Sequence, residues 1–200
     1  MKTNTFGIDE AGRGPLAGPV AVAVFGVKAG FKLKGFPKGR DSKKMSEAER
    51  EKWFTVFEEE KKKGNVFYEV TLVSANVIDA KGIVCAIQKG MEKCLKKLEK
   101  EGIAGGNSRI LLDGALRAPS RFFNQITIIK GDEKEPLIAC ASIIAKVTRD
   151  RHMKRLAKKY PEYLFEIHKG YGTLSHRQII KKRGLSPIHR RSFLKNIFVV

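Results

Sequence analysis

Two rhythms of apolar and polar residues divide this chain. Residues 5–9 form a short apolar run, and Pro19-Val20-Ala21-Val22-Ala23-Val24-Phe25 is almost wholly apolar and rich in β-branched positions. An unbroken apolar run of that length predicts a strand covered on both faces. Residues 28–44 are rich in Gly and Lys and predict a loop. Ser46, with Glu49 three positions on, makes a capping-box pair and opens a helix running to about Lys62. Gly64-Asn65 reads as a turn, and residues 66–73 alternate as a third strand. Ser74 is expected to cap a short helix, with a longer one over residues 83–100. A glycine-rich break at 102–107 precedes a fourth strand, Arg109-Ile110-Leu111-Leu112-Asp113, and residues 125–129 make a fifth. Pro136 suits the first turn of a helix that continues to about Lys159. Ser175 starts the last helix and Gly184 stops it, leaving a tail that is irregular or briefly helical.

Strands alternating with helices predict an α/β domain with a central sheet and a mostly helical C-terminal part. Its expected limits are 1–160 for the sheet domain and 161–200 for an extension packed on it as one structural unit. No repeat or linker interrupts the chain. Two hundred residues are enough for a sizeable core. The charge changes the picture most: 40 Lys+Arg against 21 Asp+Glu give +19 and a pI near 10.0, so a polyanion is the expected partner. Nucleic acid is preferred over an anionic membrane surface, because there is no lipidation motif and no apolar run reaching the ~18 residues of a spanning helix. Met1-Lys2-Thr3-Asn4 leads into no apolar signal region, so a cytoplasmic location is expected. Cys85, Cys94 and Cys140 show no CxxC spacing, and Cys140 reads as a small buried thiol. His152, His168, His176 and His189 lack zinc spacing.

Against this basic background four acids stand out. Asp9 and Glu10 close the first strand, Asp113 closes the fourth, and Asp132 follows the fifth in Lys130-Gly131-Asp132. Any one of them alone is an ordinary turn acid. Together, at element ends of a very basic chain, they point to hard divalent ions held against phosphates. Ligands collect outside strand ends in α/β sheets, clustered carboxylates repel unless a cation is shared, and oxygen-only ligation selects Mg²⁺ or Mn²⁺ over zinc.

Other stretches have two readings each. The glycines of Gly12-Arg13-Gly14 let backbone N–H groups approach a ligand, or simply make a tight turn. Lys43 and Lys44, before the Ser46 cap, meet phosphates or are solvated lysines. Ser142, Lys146 and Arg149 share one helix face that tracks a phosphate backbone or faces solvent, while Ile138, Ala141, Ala145 and Thr148 have core spacing. Asp150, between two arginines, reads as structural. Tyr171, flanked by glycines in a basic loop, stacks on a sugar or base if exposed, or is buried with its hydroxyl satisfied. The apolar residues at 193–200 are expected to pack on the domain.

Taken in order, these blocks closely resemble the ribonuclease HII family, type 2 ribonuclease H. Ile8-Asp9-Glu10-Ala11-Gly12-Arg13-Gly14-Pro15-Leu16-Ala17-Gly18-Pro19-Val20 resembles its opening signature. Asp41-Ser42-Lys43-Lys44 resembles the second block, with Met45 where Leu is usual. Leu112-Asp113-Gly114, Lys130-Gly131-Asp132, the run from Ala141 to Asp150 and His168-Lys169-Gly170-Tyr171-Gly172-Thr173 complete the set. The resemblance implies the ribonuclease H-like fold, a five-stranded mixed sheet flanked by helices with a C-terminal helical extension. It implies a metal-dependent endoribonuclease in which Asp9, Glu10, Asp113 and Asp132 hold two divalent ions, Mg²⁺ or Mn²⁺. Gly12, Arg13 and Gly14 would read a ribose 2′-hydroxyl, and Tyr171 would sense the junction sugar. The implied substrates are RNA–DNA hybrids and duplex DNA with embedded ribonucleotides, nicked on the 5′ side to leave 5′-phosphate and 3′-hydroxyl, by a monomer. The Gly-Arg-Gly separates the chain from the sibling ribonuclease HIII, and residues 26–40 are longer and richer in lysine than the pattern. The competing readings are another ribonuclease H-like nuclease, such as an integrase or resolvase, and a non-catalytic nucleic-acid-binding protein.

Overall fold

The structure is a computed structural model that describes residues 4–37, 45–114 and 116–194. Its centre is one mixed sheet in the order β3-β2-β1-β4-β5. The strands are β1 (Thr5–Ala11), β2 (Val20–Val27), β3 (Val66–Val73), β4 (Arg109–Asp113) and β5 (Gln125–Ile128). β1 pairs antiparallel with β2 and parallel with β4, so the first and fourth strands are neighbours. β2 is buried along almost its whole length, as its unbroken apolar run requires. The ladder to β2 carries β1 beyond the expected end at Asp9: Glu10 pairs with Val22 and Ala11 with Ala21. The two acids therefore lie within the paired strand.

The helices are α1 (Glu47–Lys62), α2 (Ala75–Lys81), α3 (Ile83–Lys100), α4 (Gly131–Lys134), α5 (Pro136–Lys159), α6 (Phe165–His168) and α7 (Leu174–Arg183). The Ser46–Glu49 capping box is formed in both directions. Ser74 is the N-cap of α2 without a side-chain cap bond. The start of α7 corrects the expectation of Ser175: Thr173 is the N-cap, its hydroxyl accepting the His176 N–H.

Helices cover both faces. One face of the sheet, through Phe6, Ile8, Val22, Val24, Ile110 and Leu112, packs on α2 and α3. The other, through Ala21, Ala23, Phe25 and Leu111, packs on α1 and α5. α5 reaches β1 at Gly7, where a Cβ would lie 2.3 Å from the Leu137 backbone. Only glycine permits that approach, and it seats the helix directly over the strand bearing Asp9. The first half of α5 is buried on nearly all sides, which removes the solvated-face reading for Ser142 and Arg149; its last turns, from Arg151 on, expose several basic residues. Cys140 is fully buried, as expected, and the three cysteines are free. Phe193 and Leu194 pack on the domain; residues 195–200 lie outside the described residues. No helix among the described residues is long and apolar enough to cross a membrane.

Candidate active site

Strand register assembles the acids. Ile8 pairs with Leu112 in the parallel β1–β4 ladder, so the next residues, Asp9 and Asp113, stand side by side. Alternation along a strand puts Asp9 on the face of Gly7, and Asp113 on the face of Leu111, both toward α5. Asp113 Oδ1 accepts the Gly131 N–H at 2.6 Å. That bond ties the α4 turn to β4, and Lys130 enters the turn in the left-handed region at φ 54°. Asp132 follows, almost fully buried. Glu10 is held by Arg13, whose Nη1 lies 3.1 Å from Oε1.

Asp9 carries the strongest electrostatic demand. It is 5% exposed. Burial pushes its carboxyl well above the usual carboxylate range, and the charges of Glu10 and Asp113 push it further. The Ser142 hydroxyl from α5 and the Glu10 N–H, which is 2.7 Å from Oδ1, act in the opposite direction. Among the described residues, no three carboxylate, imidazole or thiol groups are already closed on a common point as a ligand set. The donor chemistry nonetheless fits hard divalent ions: all four groups offer oxygen, and a cation beside Asp9 removes both the repulsion and the drive to protonate.

Two buried guanidinium groups lie beneath the Gly-Arg-Gly loop: Arg190 bonds its carbonyls, and Arg149 packs under Gly12 while bonding the segments on either side. Arg149 is fully buried. Its Nε donates to the Pro19 carbonyl at 2.9 Å, Nη1 to Lys169 at 3.0 Å and Nη2 to Ala17 at 3.2 Å. Arg149 is therefore not a phosphate-facing residue, and that expectation is corrected: helical spacing with Ser142 and Lys146 gave the face, but the loops fold over it. Ser142 is also buried and serves Asp9. Arg190, fully buried as well, donates from Nε to Gly18 at 2.9 Å, from Nη1 to Arg13 at 2.9 Å and from Nη2 to Gly12 at 2.7 Å. Burial and the Arg149 charge pull Arg190 down to about 9, where it remains charged at neutral pH. Gly12 has φ 91°, and a Cβ there would sit 2.0 Å from Arg149 Nε. Glycine is thus required both by the backbone and by the arginine beneath it.

Tyr171 is 41% exposed, so the reading in which it is buried fails. Lys146 Nζ and Arg149 Cζ approach its ring centroid at 5.8 and 5.6 Å. Lys146 also pairs with Asp150 at 2.9 Å. Asp150 is structural as expected, though its partners are Lys146 and Arg50 and not its sequence neighbours. Lys43 and Lys44 lie outside the described residues.

Behind Tyr171, three histidines cluster, His176 stacked on His168 and hydrogen-bonded to His189. His168 and His176 have ring centroids 4.1 Å apart. The hydrogen bonds assign the protons. The Ser186 N–H donates to His189 Nδ1 at 2.9 Å, leaving the His189 proton on Nε2. That proton is donated to His176 Nε2 at 3.1 Å, and His176 Nδ1–H donates to the Tyr171 carbonyl at 2.9 Å. His168 accepts the Gly170 N–H and donates to the Tyr163 carbonyl. Burial keeps all three neutral, pulling His176 and His189 down to about 4. Arg190 and this relay had no signal in the sequence beyond being polar residues in a basic tail.

A five-stranded mixed sheet with acids at the C-terminal ends of its central strands, backed by a long helix, defines a ribonuclease H-like nuclease. Comparison with known proteins makes the class specific. The Ribonuclease HII family model matches residues 6–196. The chain is 46% identical over 191 residues to the Ribonuclease HII of Clostridioides difficile, covering 96% of this chain and 70% of that one. It is equally identical to that of Caldicellulosiruptor bescii, with 96% and 86% covered. The RNase HII in the PCNA:RNase HII complex from Archaeoglobus fulgidus superposes with a TM-score of 0.70 at 28% identity, covering 94% of this chain and 93% of that one. The chain belongs to the ribonuclease HII family, type 2 ribonuclease H endonucleases that act on RNA–DNA hybrids.

Proposed function

We propose that this endonuclease depends on divalent metal, Mg²⁺ or Mn²⁺, and nicks on the 5′ side of ribonucleotides embedded in duplex DNA, leaving 5′-phosphate and 3′-hydroxyl. The observation that carries the metal assignment is the buried Asp9 carboxylate, flanked by Glu10 and Asp113 and driven toward protonation. Asp9, Glu10, Asp113 and Asp132 hold the ions. Two such ions supply a lowered pKa for an attacking water and charge neutralisation at the leaving 3′ oxygen. Ser142 and the Glu10 N–H fix the Asp9 carboxylate, and the Gly131 N–H fixes Asp113. The Gly12-Arg13-Gly14 backbone, clamped by Arg190 and backed by Arg149 under Gly12, meets the ribose 2′-hydroxyl, the group that distinguishes RNA from DNA at one position. Tyr171 stacks on the sugar at the RNA–DNA junction, and Lys146 and the lysines at 43 and 44 contact phosphates. The enzyme works in the cytoplasm as a monomer, with residues 161–200 packed on the sheet domain as one unit.

The test is a labelled duplex with one embedded ribonucleotide, incubated with chelator, Mg²⁺ or Mn²⁺, and the nick mapped at nucleotide resolution. A nick 5′ of the ribonucleotide, only with metal, is expected. Cleavage in chelator, or no preference for the ribonucleotide, overturns the proposal.

A further inference from the structure

A second basic surface lies away from the acids. A groove of about 810 Å³ runs along α3, and the loop segment Arg117-Ala118-Pro119 forms its other wall. Six cations face it: Lys89, Lys93, Lys96, Lys97, Lys100 and Arg117. Lys96 and Lys97 pair with Glu92 and Glu69. Lys89, Lys93, Lys100 and Arg117 make no ion pair among the described residues. The acids at its rim are already occupied, since Arg121 bonds both Glu92 and Glu99 at 2.9 Å. The groove therefore carries an uncompensated positive charge.

Topology places one end of it level with the strand ends that carry the acids, on the sheet face opposite α5. β3 is antiparallel to β2, and β2 to β1, so β3 runs parallel to β1 and ends at Val73 opposite Val20, at the edge where Glu10 and Asp113 lie. α3 then runs back from that edge: Gly90 lies against Val73, and Cys94, one turn on, against Thr71. Arg117 is four residues from Asp113, within ~14 Å even for a fully extended chain. From Lys89 to Lys100 the helix rises ~17 Å, the span of about five nucleotides along one strand. A straight row of cations at this spacing, starting near the strand ends that carry the acids and running down the sheet face opposite α5, matches a phosphate backbone better than a compact anion.

We propose that the α3 groove binds the phosphate backbone of one arm of the duplex, beyond the nucleotides held at the acids. The proposal rests on the reading of the protein as a nuclease of duplex substrates, and it assigns a separate surface to holding the arm. Recognition there is by charge, so it is independent of sequence.

Binding is measured in chelator on duplexes with one embedded ribonucleotide whose two arms are lengthened separately by one helical turn, from 50 to 200 mM KCl. Lengthening one arm should tighten binding and steepen the salt dependence; lengthening the other should not. The combined variant Lys89→Gln, Lys93→Gln and Lys100→Gln should lose that gain. Three lost contacts lower the log–log slope by about 2.7, so the parent's long-arm affinity should fall about 40-fold more than the variant's across this salt range. A control with Lys52→Gln, Lys158→Gln and Lys159→Gln carries the same net charge and should retain the arm gain. An unchanged arm gain in the groove variant, or an equal loss in the control, overturns the proposal. So does poly-glutamate that depends on the three lysines for binding while arm length has no effect, which would make the groove a site for an acidic protein. Failure of the parent to nick its short duplex with Mg²⁺, with the arm gain intact, would instead remove the nuclease reading and leave the groove.

Discussion

His189→Phe tests whether the histidine relay is held neutral. At pH 7 the variant loses the donor to His176 Nε2 and the acceptor of the Ser186 N–H. Leaving a buried polar group without its partner costs about 1–3 kcal/mol. The pH dependence is more diagnostic. His189 is pulled from 6.5 down to about 4, so between those values the unfolded chain binds a proton that the folded chain refuses. Stability is fully present above pH 6.5 and is lost as pH falls toward 4. The loss from this one group reaches roughly 3 kcal/mol at pH 4, at 1.36 kcal/mol per unit. Asp9, with its raised pKa, contributes in the opposite sense, favouring the fold as it takes up a proton, but it is present in both proteins and cancels in the difference. Urea unfolding of parent and variant at half-unit steps from pH 7.5 to 4 gives that difference directly. The parent's advantage should shrink by about 3 kcal/mol toward acid pH. A gap that stays constant would refute the neutral relay and the proton assignment behind the positioning of Tyr171.

Three further substitutions probe the substrate loop. Gly12→Val should cut cleavage sharply, because its Cβ collides with Arg149 and its φ of 91° disfavours a branched side chain; near-parental kcat/KM would show that the loop is not positioned from below. Arg190→Met removes three hydrogen bonds to the carbonyls of Gly12, Arg13 and Gly18, and should lower stability by about 1–3 kcal/mol, the cost of leaving buried acceptors unsatisfied; no loss of stability in denaturant unfolding contradicts the clamp. Tyr171→Ala should slow nicking at a single embedded ribonucleotide more than cleavage of a continuous hybrid, by a stacking loss on the order of 1–3 kcal/mol; an equal loss on both substrates assigns the ring to general binding.

Much of this architecture was legible because local signals and tertiary demands agree. The Ser46–Glu49 box, the unbroken apolar run of β2, the limits of α3 and Pro136 at the start of α5 each state their element in sequence. The gathering of Asp9 and Asp113 was legible only on the condition that β1 and β4 pair, which a parallel ladder between distant strands supplies. Arg149 shows where pattern fails: its charge and helical phase read as a solvated or phosphate-facing position, but loops from both ends of the chain fold over it and use its three donor directions. The histidine relay was invisible for a related reason. Its members are 8 and 13 residues apart in a segment without strong periodicity, and only the fold gathers them.

The central claim is that Asp9 and Asp113 sit side by side to hold divalent cations against a phosphodiester. The most direct measurement compares parent, Asp9→Asn and Asp113→Asn for cleavage of a duplex with a single ribonucleotide in Mg²⁺ and, on the same preparations, for binding of that duplex in chelator. Both variants should lose cleavage by several orders of magnitude while binding the duplex as tightly as the parent or more tightly, since each removes a negative charge facing phosphates. Near-parental turnover by both variants, or loss of binding in step with loss of cleavage, would contradict the account.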